Sequence, residues 1–175
     1  ALAEQGVADG ERLVISGGSA GGWTAAASMT STRTYRCATI QYPILDLAGW
    51  TSTGGETHDF ESRYVEGLVG TLPEHAERYT ARSPINHVDK LAGPVLLLQG
   101  LEDQICPPHQ ADRFVAALEG TGLPLLRTRI PVSRRVPSST LAKLPVVLSA
   151  PTSPVSSAYC ALADEIVATA ERILE

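Results

Sequence analysis

Read for its alternation of apolar and polar positions, residues Ala1 to Gly10 are the end of a helix and a turn, with Gly10 a breaker before a short strand, Arg12 to Ser16, that runs into a cluster of glycines. The small, helix-compatible run Trp23 to Met29 follows, and then Cys37-Ala38-Thr39-Ile40-Gln41-Tyr42 reads as a second strand closed by Pro43. Two strands separated by a helix require a right-handed crossover and so a parallel sheet. The stretch from Asp46 to Tyr79 is mixed, and its Trp50, Phe60, Tyr64 and Leu68, spread among Gly, Thr and charged residues, read as short helices covering the top of the sheet. Val95-Leu96-Leu97-Leu98-Gln99 is a continuous apolar run of the kind expected for a strand buried on both faces. A helix from Pro107 and Pro108 to Leu118 stops at Gly120, and Leu125 to Ile130 reads as one more strand. Pro131, Pro137, Pro145, Pro151 and Pro154 then punctuate a serine-rich stretch expected to be poorly ordered. Last comes a helix capped by Ser157, with Leu162, Ile166, Val167, Ala170, Ile173 and Leu174 on one face. The domain reading is therefore residues 1–125 as an α/β unit, 126–157 as a divergent basic segment, and 158–175 as a terminal helix.

The glycine cluster changes the picture from fold to chemistry. Gly17-Gly18-Ser19-Ala20-Gly21 fits G-x-S-x-G, the sharp strand-to-helix turn that holds a serine hydroxyl at its tip. Glycines two before and two after the serine are expected because a Cβ at either would collide with the neighbouring strand or helix. The helix behind Ser19 aims unpaired N–H groups at the place where an attacked carbonyl would gain negative charge. A dinucleotide loop fails on spacing, since Ser19 stands two residues beyond Gly17 and Gln41 stands where an acid is needed. A phosphate-binding P-loop fails because no lysine precedes Lys90. A glycine-rich turn without chemistry is the remaining alternative.

Composition narrows the class. With 175 residues, 43% of them hydrophobic, the chain is one domain's worth and can build a core, and no apolar run has the length of a membrane span. It begins at Ala1, so an N-terminal targeting signal would be out of view. Cys37, Cys106 and Cys160 are odd in number and lack C-x-x-C spacing, which argues against a disulfide framework and a zinc site and for reduced thiols in the cytoplasm. No cofactor or metal is called for. The net charge of −5 is unsuited to nucleic acid, but it is unevenly spread. Between Leu126 and Cys160 there is no Asp or Glu, while Arg127, Arg129, Arg134, Arg135 and Lys143 give +5, leaving −10 on the rest. This excess reads as solvated chain more readily than as a surface for an acidic partner.

A serine hydroxyl needs a histidine to take its proton and a carboxylate to orient that histidine, in the chain order serine, acid, histidine for this turn. Asp103, in the loop directly after the apolar strand, is the acid candidate, with Glu102 the weaker rival and an ordinary loop aspartate the bland reading. His58, His75 and His87 precede Asp103 and read as surface or cover residues. His109 follows it but would have to fold back across its own turn to reach Ser19. No histidine follows His109, so the residues alone leave the triad incomplete.

Gly17-Gly18-Ser19-Ala20-Gly21-Gly22-Trp23 and Pro94-Val95-Leu96-Leu97-Leu98-Gln99-Gly100-Leu101-Glu102-Asp103-Gln104, with Pro107-Pro108 and Ser83-Pro84-Ile85, resemble the prolyl oligopeptidase family of serine peptidases, in its acylaminoacyl-peptidase and dipeptidyl aminopeptidase branch. The likeness runs from about Gly10 to Pro124. It implies a partial α/β-hydrolase fold, the C-terminal half of a mostly parallel sheet flanked by helices, with Ser19 as nucleophile, Asp103 as acid and the backbone N–H of Ala20 as one oxyanion donor. The family's upstream propeller, first strands and second oxyanion donor have no counterpart here, as in a fragment that begins just before the elbow. Where the family carries its histidine loop, this chain has Arg134-Arg135-Val136-Pro137-Ser138. A reading-frame change near Pro124 accounts for both the lost histidine and the charge shift, because codons for Arg134 to Ser138 can be chosen that read Gly-Glu-Ser-His one base along.

The sequence thus points to a serine-type peptidase acting on peptide substrates, with no nucleic acid or membrane partner. An inactive remnant serving as a binding module and a small-molecule esterase are the alternatives. The sheet edge left by missing strands is expected to drive self-association.

Overall fold

The computed structural model describes residues 2–51, 55–57, 63–122 and 125–174, with side chains described up to residue 171. The chain divides into two compact units, Ala1–Gly122 and Leu123–Glu175.

In the first unit, strand β1 (Val14–Gly18) leads into helix α1 (Ala20–Ser31), and strand β2 (Cys37–Gln41) follows. Helices α2 (Tyr64–Val69) and α3 (Ala76–Arg82) and a 3-10 segment (Pro84–Lys90) come next, then strand β3 (Val95–Leu98) and helix α4 (Pro108–Glu119). The sheet is parallel in the order β1-β2-β3, with Val14 opposite Cys37 and Ala38 opposite Val95. Helix α1 packs on it through Gly22, Ala25, Ala26, Met29 and Thr30, a face repeating at three- and four-residue steps. Its residues are small, so the helix approaches the strands closely: a Cβ on Gly22 would lie 2.9 Å from the Gln41 carbonyl oxygen.

The predicted strands and elbow helix are in place, and β3 departs from expectation in its burial. Val95, Leu96 and Leu97 are half-buried and Leu98 is exposed, because β3 forms one edge of the sheet among the described residues and is not sandwiched like an interior strand.

The mixed stretch after β2 builds its own core of Ile44, Leu47, Trp50, Val65, Val69, Tyr79 and Cys106, with Trp23 and Leu72 packed against it. Trp50 is fully buried, as a cover residue should be, whereas Tyr64 and Leu68 are exposed. Tyr64 meets the Trp50 ring edge-on at 6.4 Å. Phe60 lies outside the described residues.

Buried Gln110 ties this segment to α4. Its Oε1 accepts from the backbone N–H of Leu45 and Asp46, and its Nε2 donates to Glu56 at 2.7 Å. Arg113 and His109 close on the same carboxylate at 2.7 and 2.9 Å. Burial raises the Glu56 pKa, but hydrogen bonds from Arg113 and Gln110 and the nearby positive charges outweigh it and hold the carboxyl below its ordinary value.

The second unit corrects two expectations. Residues 125–130 form no strand, and the stretch expected to be poorly ordered carries helices α5 (Arg135–Leu141) and α6 (Val146–Ser149). The prolines were misleading because they sit at helix starts, where a missing N–H costs nothing: Pro137 in the first turn of α5, Pro145 just before α6, Pro154 opening α7 (Pro154–Leu174). Ser153, not Ser157, caps α7, its Oγ accepting from the Ser156 N–H at 3.4 Å. On α7, Leu162 is half-buried but Ile166 and Val167 are exposed, so the expected apolar face is only partly covered.

Candidate active site

Ser19 stands at the junction of β1 and α1 with φ 55° and ψ −121°, a conformation costly for any residue with a Cβ. Two hydrogen bonds and the neighbouring glycines hold it there. Its N–H donates to the Gln41 carbonyl at 3.0 Å, its own carbonyl accepts from the Trp23 N–H at 3.0 Å, and the glycines around it let the chain turn.

The glycine rule needs one correction. A Cβ on Gly17 would lie 2.2 Å from the Gly21 carbonyl oxygen, as expected, but one on Gly21 would meet nothing within 4 Å. The close approaches fall instead at Gly18, against the Tyr42 hydroxyl at 2.7 Å, and at Gly22. Gly21 already lies in the first turn of α1, pointing away from the strands.

Ala20 is the first residue of α1, where N–H groups have no intrahelical acceptor, so its N–H belongs to the helix end beside Ser19. Behind that turn is a cavity of about 210 Å³ lined by Ala20, Gly21, Trp23, Ile44, Tyr64 and Arg82 among others. Tyr64 and Leu68, exposed elsewhere, form part of its wall.

Asp103 lies in the loop after β3. Its Oδ1 accepts from the backbone N–H of Ile105 and Cys106, both at 2.9 Å, folding the loop into a tight turn. The Cys106 thiol in turn donates to Ser19 Oγ at 3.8 Å. The acid loop and the serine turn therefore meet at the carboxyl end of the sheet, joined through a cysteine. Glu102 is exposed on the same loop.

The three described histidines are engaged elsewhere. His75 Nδ1 lies 3.1 Å from the Thr71 carbonyl, His87 Nε2 lies 3.0 Å from that of Ala81, and His109 pairs with Glu56. His58 falls outside the described residues. No metal-holding group of three or more His, Cys, Asp or Glu occurs among the described residues.

Sequence reasoning missed Cys106 and Gln110. Gln110 gave one signal, a polar side chain on the apolar stripe of α4 with Ala111, Phe114 and Leu118. Cys106 gave none, because its contact with Ser19 spans 87 positions.

A parallel sheet with a serine on a strained strand-to-helix turn and an acidic loop after a later strand defines a partial α/β-hydrolase fold. The model of the prolyl oligopeptidase family of peptidases matches residues 1–133, and the chain belongs to that family. It is 29% identical over 124 residues to the uncharacterized peptidase YuxL of Bacillus subtilis, covering 70% of this chain and 18% of that protein. It is 27% identical over 128 residues to the acylamino-acid-releasing enzyme of Arabidopsis thaliana, covering 69% of this chain and 16% of the relative. Among solved structures, a puromycin hydrolase superposes with a TM-score of 0.66 at 56% identity, covering 69% of this chain and 18% of its own. The chain thus spans less than a fifth of the length of these relatives.

Proposed function

We propose that this chain carries the nucleophile and acid of a serine peptidase. Ser19 attacks the carbonyl of a peptide or amide, the Ala20 N–H stabilises the oxyanion, and Asp103 orients a histidine, a role that none of the described histidines fills. The observation that carries this reading is the strained backbone of Ser19, held where the Asp103 loop reaches it through Cys106. Backbone strain of this kind clusters at functional sites, and here it sits on the residue whose hydroxyl faces the acid loop. The cavity beside Ala20, walled mainly by Trp23, Ile44, Val65 and Tyr64, suits an apolar or aromatic substrate side chain. Because the puromycin hydrolase is 56% identical over the aligned part, 69% of this chain, puromycin is the substrate to try first.

Without the base, turnover falls by several orders of magnitude. The test is hydrolysis of puromycin and of an aromatic aminoacyl anilide with added free imidazole, which can stand in for the missing side chain. Imidazole-dependent cleavage that disappears in Ser19→Ala supports the proposal. Cleavage indifferent to Ser19→Ala sinks it, and activity confined to aryl esters moves the reading to an esterase. A second reading, a remnant that binds without catalysis, is favoured by the absence of any histidine after His109. It predicts substrate binding with no imidazole-dependent turnover.

Three further points belong to this reading. Cys37, Cys106 and Cys160, none of them in a disulfide, suit a reducing compartment such as the cytoplasm. The outer edge of β1, with Val14 exposed, suits self-association, which a monodisperse monomer in sedimentation would contradict. A frame change near Pro124 would explain the basic tail, and a nucleotide sequence lacking a histidine loop in both other frames would exclude it.

A further inference from the structure

The second unit shows a surface that the hydrolase chemistry does not use. Helix α5 turns Val136 and Ser139 inward, the first half-buried and the second buried. Arg134, just before the helix, and Leu141 lie two turns apart on the opposite stripe, and exposed Arg135 flanks the buried side next to Ser139. The turn to α6 adds Lys143 and Leu144, and α6 adds Leu148, while Val146 is buried. Leu141 is 86% exposed and Leu148 68%, and with exposed Leu144 they put three leucines within eight residues on the surface of this segment.

The turn is built with care. The Leu144 N–H donates to the Ser139 carbonyl and the Lys143 N–H to that of Thr140, both at 3.1 Å, which is the Schellman closure of a helix. Lys143 occupies the position that prefers glycine, at φ 54°. A cation is thus held between two exposed leucines at a backbone position where it costs stability.

Charge and composition select the occupant. No carboxylate occurs between residues 126 and 160, and the nearby Glu165 is committed to the backbone N–H groups of Arg127 and Thr128 at 2.6 and 2.9 Å. Those bonds and that of the Thr128 side chain hold its carboxyl below the ordinary value, so it stays ionised on its own partners. Arginines and a lysine interleaved with exposed leucines match a surface that is anionic outside and apolar beneath. Nucleic acid fits less well, because residues 125–158 contain no aromatic side chain on which a base could stack.

We propose that the α5–α6 hairpin docks on the anionic face of a lipid bilayer, Arg134, Arg135 and Lys143 meeting headgroups and Leu141, Leu144 and Leu148 entering the headgroup–acyl boundary. This is adsorption, not insertion: among the described residues no helix is long and apolar enough to cross a membrane. It revises the expectation that the basic stretch is merely solvated.

The test is flotation of the full chain with vesicles of phosphatidylcholine alone or with roughly one-third phosphatidylglycerol, whose negative surface favours each added cation. Binding is expected only to the anionic vesicles and weakens as salt is raised to about 0.5 M. Arg134→Gln with Arg135→Gln should lower the affinity at least tenfold, each charge counting for roughly fivefold. Leu141→Ser with Leu148→Ser should also weaken binding. Lys143→Gly separates docking from folding: affinity falls about fivefold while the melting temperature holds or rises. Equal binding to both vesicle types, or none, overturns the proposal. So does competition by single-stranded RNA with no effect of the leucine changes, which would mark a general polyanion site. Self-association without vesicles that the same changes suppress would give the surface to a second copy of the chain.

Discussion

The Cys106 thiol lies 3.8 Å from Ser19 Oγ, and the same residue's N–H is held by Asp103 at 2.9 Å. Asp103 therefore has a structural duty that can be separated from any catalytic one. Asp103→Asn keeps an oxygen for the N–H groups of Ile105 and Cys106 and should leave stability nearly unchanged. Asp103→Ala leaves the partly buried Cys106 N–H without its acceptor, while the exposed Ile105 N–H turns to water, and should cost about 1 kcal/mol or more. Urea unfolding of the two variants checks this, and equal losses would contradict it.

The two glycines of the motif should behave oppositely. Gly17→Ala drives a methyl to 2.2 Å from the Gly21 carbonyl and should prevent a stable turn, seen as loss of cooperative melting. Gly21→Ala enters open space in a helix and should stabilise by about 0.5–1 kcal/mol.

Gln110 serves as the buried clasp between the segment after β2 and α4. Gln110→Leu matches its bulk but leaves the N–H groups of Leu45 and Asp46 without this acceptor and removes one of the donors to Glu56, which keeps Arg113 and His109. A loss of about 2 kcal/mol or more is expected in denaturant titration, since each abandoned buried partner costs on the order of 1–3 kcal/mol.

Acid should weaken the same clasp. The Glu56 carboxyl is held below its ordinary 4.5, so its contribution is complete above that value and is lost as pH falls through the lowered folded one. Melting temperatures of the parent chain and of Glu56→Gln should differ at neutral pH, begin to converge as pH falls below about 4.5, and meet only once it has passed the lowered folded value. A gap that stays constant with pH would show that Glu56 acts by shape alone.

What could be read in the sequence was whatever chemistry is local. The turn around Ser19 was legible because strand, glycines and helix follow one another within a few residues, and the Asp103 loop because an apolar run marks the strand before it. The Cys106 contact and the Gln110 clasp were not, since each joins segments far apart in the chain and nothing near either residue announces its partner. Pro137, Pro145 and Pro154 were misread because composition records that a proline is present, not that it opens a helix. The half-exposure of β3 was missed for a related reason: an apolar run shows what a strand can bury, and only its neighbours decide what it does bury.

The backbone of Ser19 has a consequence for how this chain can change. At φ 55° a glycine would sit more easily than a serine, so Ser19→Gly should raise the melting temperature even as it removes the hydroxyl. Once hydrolysis is no longer required of a chain, drift toward greater stability leads away from serine at this position. A serine kept here across a lineage of such chains would be a trace of continuing use, and its replacement by glycine would date the point at which that use ended.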